Sequence, residues 1–125
     1  MQTRIEYRRE RPLSPLTAWV HRGLDGPSWT ATQFEPPMPA KDLDAGGYPV
    51  WVVAHRGREL VFSSPEEIRH AIDVLGRKIL PSPRELGKET SAVNSHWLSR
   101  LHASWKPWKI RQELVKKLSS FVTEG

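Results

Sequence analysis

The chain has 125 residues, 38% hydrophobic and 26% charged, which predicts a single folded domain over residues 1–125. It has no cysteine, no apolar run long enough for a membrane span and no apolar signal region, so we expect a cytoplasmic protein without disulfides or thiol chemistry. Its net charge is +5: residues 1–76 carry nine basic and ten acidic side chains, and residues 77–125 carry ten and four. Such a concentrated basic region either attracts polyanions or is simply a solvated face.

The first half of the chain favours strands. Residues 3–9 alternate polar and apolar side chains with period two, which predicts a half-buried strand. Shorter strands are predicted at 16–21 and 29–34, bounded by proline and glycine. The proline-rich and glycine-rich residues 35–49 predict a surface loop that either only connects or has a function.

A β-hairpin follows this loop. Residues 50–54 are β-branched and apolar on both faces, which predicts a central strand. Residues 55–58 form a polar turn in which Gly57 can adopt positive φ, and residues 59–62 return as the partner strand.

Helices dominate the second half. Ser64 is a predicted N-cap, with Pro65 at the first helical position and Glu67 completing a capping box, and the helix should run to about residue 80. A helix of one or two turns is expected from Ser82, and another from Asn94 or Ser95 to about Ala103.

A last helix is predicted from Trp108 to about Val122, with Pro107 at its start and its apolar residues on one arc. Together these elements predict an α+β fold. We expect a small, mainly antiparallel sheet of three to five strands, packed against the helix at 64–80 and the C-terminal helices.

Motifs that define a chemistry are absent from the sequence. It has no phosphate-binding glycine loop, no His-Glu-x-x-His and no Gly-x-Ser-x-Gly. The five histidines lack metal-ligand spacing and favour structural or solvated roles, and Glu66 and Glu67 are explained by helix capping. No catalytic residue, metal or cofactor is therefore predicted.

The stretch 95–111 interleaves three tryptophans with basic side chains. Trp105 and Trp108 would stack on bases while lysine and arginine neutralise phosphates, or the indoles would instead belong to the core. The candidate binding residues are Trp105, Trp108, Arg100, Lys106, Lys109, Arg111, Lys116 and Lys117. Arg111 falls inside the apolar arc of the last helix, where it would snorkel, pair with a buried acid such as Glu85, or reach a ligand.

The segment 96–101, together with Lys106, Pro107, Trp108 and Arg111, resembles a stretch found in small uncharacterised bacterial proteins. The resemblance implies a bacterial, cytoplasmic origin and transfers no catalytic residue.

Three functional hypotheses follow from these patterns. The first is a non-catalytic binding module whose basic, tryptophan-containing C-terminal surface contacts nucleic acid or a nucleoprotein. The second is a protein–protein interaction module, binding an acidic surface or a second copy, with the same tryptophans as anchors. The third is a small enzyme with a site between the sheet and the 35–49 loop, which the sequence favours least.

Overall fold

Three antiparallel strands and two longer helices form the main body of the protein in a computed structural model that describes residues 1–27, 30–78 and 101–122. The elements are β1 (Gln2–Arg8), α1 (Thr17–Val20), β2 (Arg22–Gly23), β3 (Phe34–Glu35), β4 (Tyr48–His55), β5 (Arg58–Phe62), α2 (Pro65–Leu75), a 3₁₀ turn (Ala103–Trp105) and α3 (Trp108–Val122). The protein is of the α+β class, as the sequence predicts.

The main sheet has the strand order β1-β4-β5, and β2 and β3 pair separately as a two-stranded sheet. β4 lies at the centre because its valines are buried on both faces of the sheet. A two-residue turn joins β4 to β5, with φ of 51° at Arg56 and 78° at Gly57. Positive φ at both positions is the geometry of a type I′ turn, so the predicted hairpin is confirmed.

The two longer helices begin where the sequence predicts. The Ser64 side chain accepts a hydrogen bond from the backbone N–H of Glu67, and α2 starts at Pro65. α2 ends at Leu75 rather than near residue 80, with Gly76 as its C-cap. The last helix is confirmed as Trp108–Val122.

The predicted strand at residues 16–21 is wrong, because Thr17–Val20 is a short helix. The Ser14 backbone N–H donates to Thr17 Oγ1, and the N–H of Thr17 donates to the Ser14 carbonyl, so the chain turns here instead of extending. Of the strand predicted at 29–34, only Phe34 lies in a strand among the described residues. The helices predicted from Ser82 and from residues 94–95 lie outside the described residues, although Ala103 begins the 3₁₀ turn.

The core lies between the main sheet and the helices. Val53 and Phe62 face the helices from the sheet, and Ile68 and Leu75 of α2 pack with Leu114 and Leu118 of α3, all at most 1% exposed. This burial of apolar surface is the main force that holds α2 and α3 on the sheet. Within the described part of the chain, no helix combines the length and apolar character needed to cross a membrane.

Candidate functional site

Trp105 ends the 3₁₀ turn and belongs to the core. Its side chain is only 1% exposed, and its ring lies 5.6 Å from the His55 ring, centroid to centroid. The turn is capped by His102, whose Nδ1 accepts from the backbone N–H of Ser104. Trp105 is therefore withdrawn from the predicted binding surface, because a base or a partner cannot stack on a ring that the protein already covers.

Arg111 is also buried, at 5% exposure, and its guanidinium binds four main-chain carbonyls. Nε donates to the Lys106 carbonyl at 2.7 Å, Nη1 to the carbonyls of Leu75 and Arg77, and Nη2 to that of Lys78 at 3.1 Å. These last three carbonyls lie at the carboxyl end of α2, where a positive charge complements the helix dipole. Arg111 thus caps α2 instead of snorkelling to solvent. Glu85, its predicted buried partner, lies outside the described residues.

Trp108 opens α3 and is half-buried. The Arg111 guanidinium lies over its ring, 5.0 Å from the centroid, which is a cation–π contact. One face of the indole is therefore already occupied by a side chain of the same helix. Trp108 remains partly exposed, so only the part of its ring that Arg111 does not cover could contact a ligand.

Four lysines of the predicted surface lie in the described residues, and none of them is fully buried. Lys109 and Lys116 are exposed and lie seven residues apart, so they share one side of α3, opposite the buried Leu114 and Leu118. Lys106, before the helix, and Lys117, on its flank, are partly buried. We call Lys106, Lys109, Lys116 and Lys117 the lysine face. Arg100 lies outside the described residues.

The lysine face has little negative charge to balance it. Residues 101–122 contain five lysines and arginines and one acidic residue, Glu113. The Glu113 carboxylate forms a salt bridge with the amino group of Met1, 3.4 Å away. Among the described residues, no carboxylate forms a salt bridge with any of the four lysines. Within the described part of the chain, their charge is therefore not neutralised by a carboxylate.

A second polar group, which the sequence interpretation missed, lies under the N-terminus of α2. His21 Nε2 lies 2.6 Å from Ser64 Oγ, and His21 Nδ1 lies 2.6 Å from the Pro36 carbonyl oxygen. Because a carbonyl can only accept, Nδ1 carries the hydrogen, and in the neutral ring Nε2 accepts from the serine. Glu67 Oε2 accepts from Thr17 Oγ1 at 3.0 Å and lies 3.7 Å from His21 Nε2.

The other oxygen of Glu67 accepts from the backbone N–H of Ser63 at 3.1 Å and from the hydroxyl of Ser14. The polar cluster is thus Ser14, Thr17, His21, Ser64 and Glu67. It differs from the predicted capping box, because Glu67 reaches the N–H of Ser63 instead of that of the N-cap residue. Helical periodicity would not have found it, because α1 covers only Thr17–Val20 and leaves Ser14 and His21 outside the helix.

A serine hydroxyl beside a histidine nitrogen is also the arrangement of a nucleophile and its base. Here, however, His21 is 1% exposed and Ser64 and Glu67 are fully buried. A substrate would have no atom of the pair to contact, and the serine oxygen already accepts the capping bond from Glu67. The arrangement holds the start of α2 against the 14–21 segment.

The region predicted for an enzymatic site contains a cavity of about 280 Å³, lined in part by Arg11, Thr32, Phe34 and Met38. The Arg11 guanidinium lies over the rings of Phe34 and Tyr48, at 5.8 and 4.9 Å from their centroids. The hydroxyl of Thr32 donates to Asp25. No carboxylate or imidazole lines this cavity among the described residues, so it offers no acid–base pair.

The comparisons with known proteins give no relative on which a function could rest: no protein-family model, no curated protein and no solved structure matches the chain. In residues 1–27, 30–78 and 101–122, no group of three or more histidine, aspartate or glutamate side chains is placed to hold a metal ion. The lysine face is therefore the candidate site that the geometry best supports.

Proposed function

We propose that the protein is a non-catalytic binding module that contacts the phosphate backbone of nucleic acid through the lysine face of α3. The observation that carries this proposal is the set of four lysines without a salt-bridge partner in the described part of the chain, of which Lys109 and Lys116 share one side of α3. Lysines arranged along a helix neutralise successive phosphates and release counterions, which makes binding independent of sequence.

Base stacking has a smaller part in this proposal than the sequence suggested. Trp105 is buried, and one face of Trp108 is covered by Arg111. The expected contacts are therefore ionic, so the affinity should fall steeply with salt. The partly exposed edge of Trp108 would add a contact beside the lysines.

The test is the salt dependence of binding to a fluorescein-labelled DNA duplex, measured by fluorescence anisotropy. Replacing Lys109 and Lys116 together by alanine should weaken binding at low salt and reduce the slope of log Kd against log salt by about two. The charge-matched control replaces Arg58 and Arg69, two exposed arginines outside α3, by alanine. The control should retain the wild-type slope.

Two results would contradict the proposal. One is the absence of any anisotropy change with the wild-type protein at low salt. The other is an equal loss of affinity in the control, which would mean that net charge alone drives binding. Circular dichroism melts of each variant separate a loss of binding from a loss of fold.

A further inference from the structure

β1 is an edge strand whose outer side has no partner among the described residues. It pairs with β4 on one side, and the strand order β1-β4-β5 ends with it. Six of its seven residues are exposed, and the seventh, Glu6, is half-buried. A long, exposed edge presents free backbone N–H and C=O groups to which another strand can pair.

Two large apolar side chains of this strand are uncovered. Ile5 is 48% exposed and Tyr7 is 45% exposed. They lie two residues apart and therefore on one face, the same face as Trp51, which lies directly opposite Ile5 on β4. A strand added beside β1 would cover part of this apolar surface.

The order of side chains along β1 is complementary to itself. Antiparallel pairing of two copies centred on Ile5 places Arg4 of each copy opposite Glu6 of the other. The same register places Thr3 opposite Tyr7 and Ile5 opposite Ile5, which keeps apolar side chains together on one face. The two charge pairs lie on the opposite face.

Other registers lose this match. Centring the pair on Glu6 sets Glu6 against Glu6 and Arg4 against Arg8, and centring it on Arg4 sets two arginines against each other. A shift by one residue places Ile5 opposite Glu6 and mixes the apolar and charged faces. Parallel in-register pairing opposes like charges throughout. The charge pattern therefore selects one two-fold arrangement.

We propose that β1 is the interface of a homodimer, in which the strands of two copies pair antiparallel about Ile5 and join the two sheets into one of six strands. Within one chain, Arg4 bonds to Glu6 of the same strand and reaches across β4 to Glu59 of β5, so the free edge of β1 still lies open beside Glu6. Pairing with a second copy brings the Glu6 carboxylate of that copy opposite this one guanidinium, and the two-fold axis repeats the contact once.

The experiment is a charge swap read by sedimentation velocity over a range of protein concentrations. The wild type should sediment as a dimer at high concentration. Glu6→Arg makes residues 4 and 6 both positive, and Arg4→Glu makes them both negative. Like charges then face each other across the dimer, so the dissociation constant of each variant alone should rise at least about tenfold. A 1:1 mixture of the two should dimerise again, because every charge then faces its opposite.

The matched control is the pair Arg9→Glu and Glu10→Arg. These exposed residues follow β1 directly, carry the same charge changes and lie outside the paired register. Each control variant should dimerise as the wild type does. Melts followed by circular dichroism verify the fold of all four variants, since exposed ion pairs such as Arg4–Glu59 add little stability.

Three outcomes overturn the proposal. The wild type remains a monomer at every concentration, the mixed variants fail to associate, or the control pair shows the same loss and recovery. The first would leave β1 free for an extended segment of another protein. The readout is the sedimenting mass, so it is independent of whether the lysine face binds nucleic acid.

Discussion

Arg111 shows how a charged residue can belong to the core without a carboxylate. Burial lowers the pKa of its guanidinium, which nevertheless remains protonated at neutral pH because arginine titrates so far above it. Helical periodicity alone identified the unusual position of Arg111 in the apolar arc. Its partners could not be read from the sequence, because they are backbone carbonyls of Lys106 and of the chain around Leu75, 36 residues away.

Replacing Arg111 by methionine should therefore lower the free energy of unfolding by about 3 kcal/mol, since it removes charge-assisted hydrogen bonds and leaves buried carbonyls unpaired. Arg111→Lys should recover only part of the loss, because an ammonium cannot reproduce the planar fork. Urea denaturation measures both. Lys109→Met, an exposed change on the same helix, should cost less than about 0.5 kcal/mol. Equal costs at positions 109 and 111 would refute the capping role.

Trp105 and Trp108 illustrate what composition can and cannot predict at the level of single residues. Aromatic and basic residues alternate in both a binding surface and a segment that docks a helix onto a core. The sequence left both readings open, and the structure places Trp105 in the core and Trp108 at the margin. Only contacts with distant residues such as His55 distinguish the two, and periodicity does not encode them.

At the level of elements, the sequence predicts best where local chemistry acts alone. The hairpin and the starts of α2 and α3 follow from turn residues, a serine cap and a proline, and all are found where expected. The strand predicted at 16–21 was wrong because a pattern of six residues is too short to distinguish a strand from a single helical turn. The side chains of Ser14 and Thr17 then favour the turn.

A substitution at Arg56 in the hairpin turn should stabilise the protein, because its φ of 51° suits asparagine or glycine better than arginine. Arg56→Asn should therefore raise the free energy of unfolding by about 0.5 kcal/mol. Gly57→Ala should lower it by about 1 kcal/mol, because φ is 78° there while an added Cβ would meet no atom within 4 Å. Thermal melts of the two variants should shift in opposite directions. A shift in the same direction would exclude the type I′ assignment.

At the level of the whole molecule, the polar cluster joins parts of the chain that are far apart in sequence. Glu67 accepts hydrogen bonds from Thr17 and Ser14, which precede it by 50 and 53 positions, and His21 bonds to the carbonyl of Pro36. The residue types gave no warning, because serine, threonine and glutamate are normally exposed. By contrast, the charge imbalance did point to the C-terminal region that contains the lysine face, because net charge can be summed along a sequence without knowing which residues are in contact.

Glu67→Ala should destabilise the protein by about 3 kcal/mol, because two hydroxyls and the N–H of Ser63 lose their buried acceptor. The neighbouring Glu66→Ala is the control. It removes a carboxylate that acts mainly on the helix dipole and should cost about 0.5 kcal/mol. Guanidinium denaturation compares the two directly. A small effect at both positions would show that the cluster does not stabilise the fold.

The two ends of α2 also differ in when they can be completed as the protein is made. The amino end needs only Ser64 and Glu67, which leave the ribosome together with the helix. The carboxyl end waits for Arg111, which is synthesised 36 residues after Leu75. A product that stops before that residue lacks this cap, so we expect the last turn of α2 to fray in it until the rest of the chain is made.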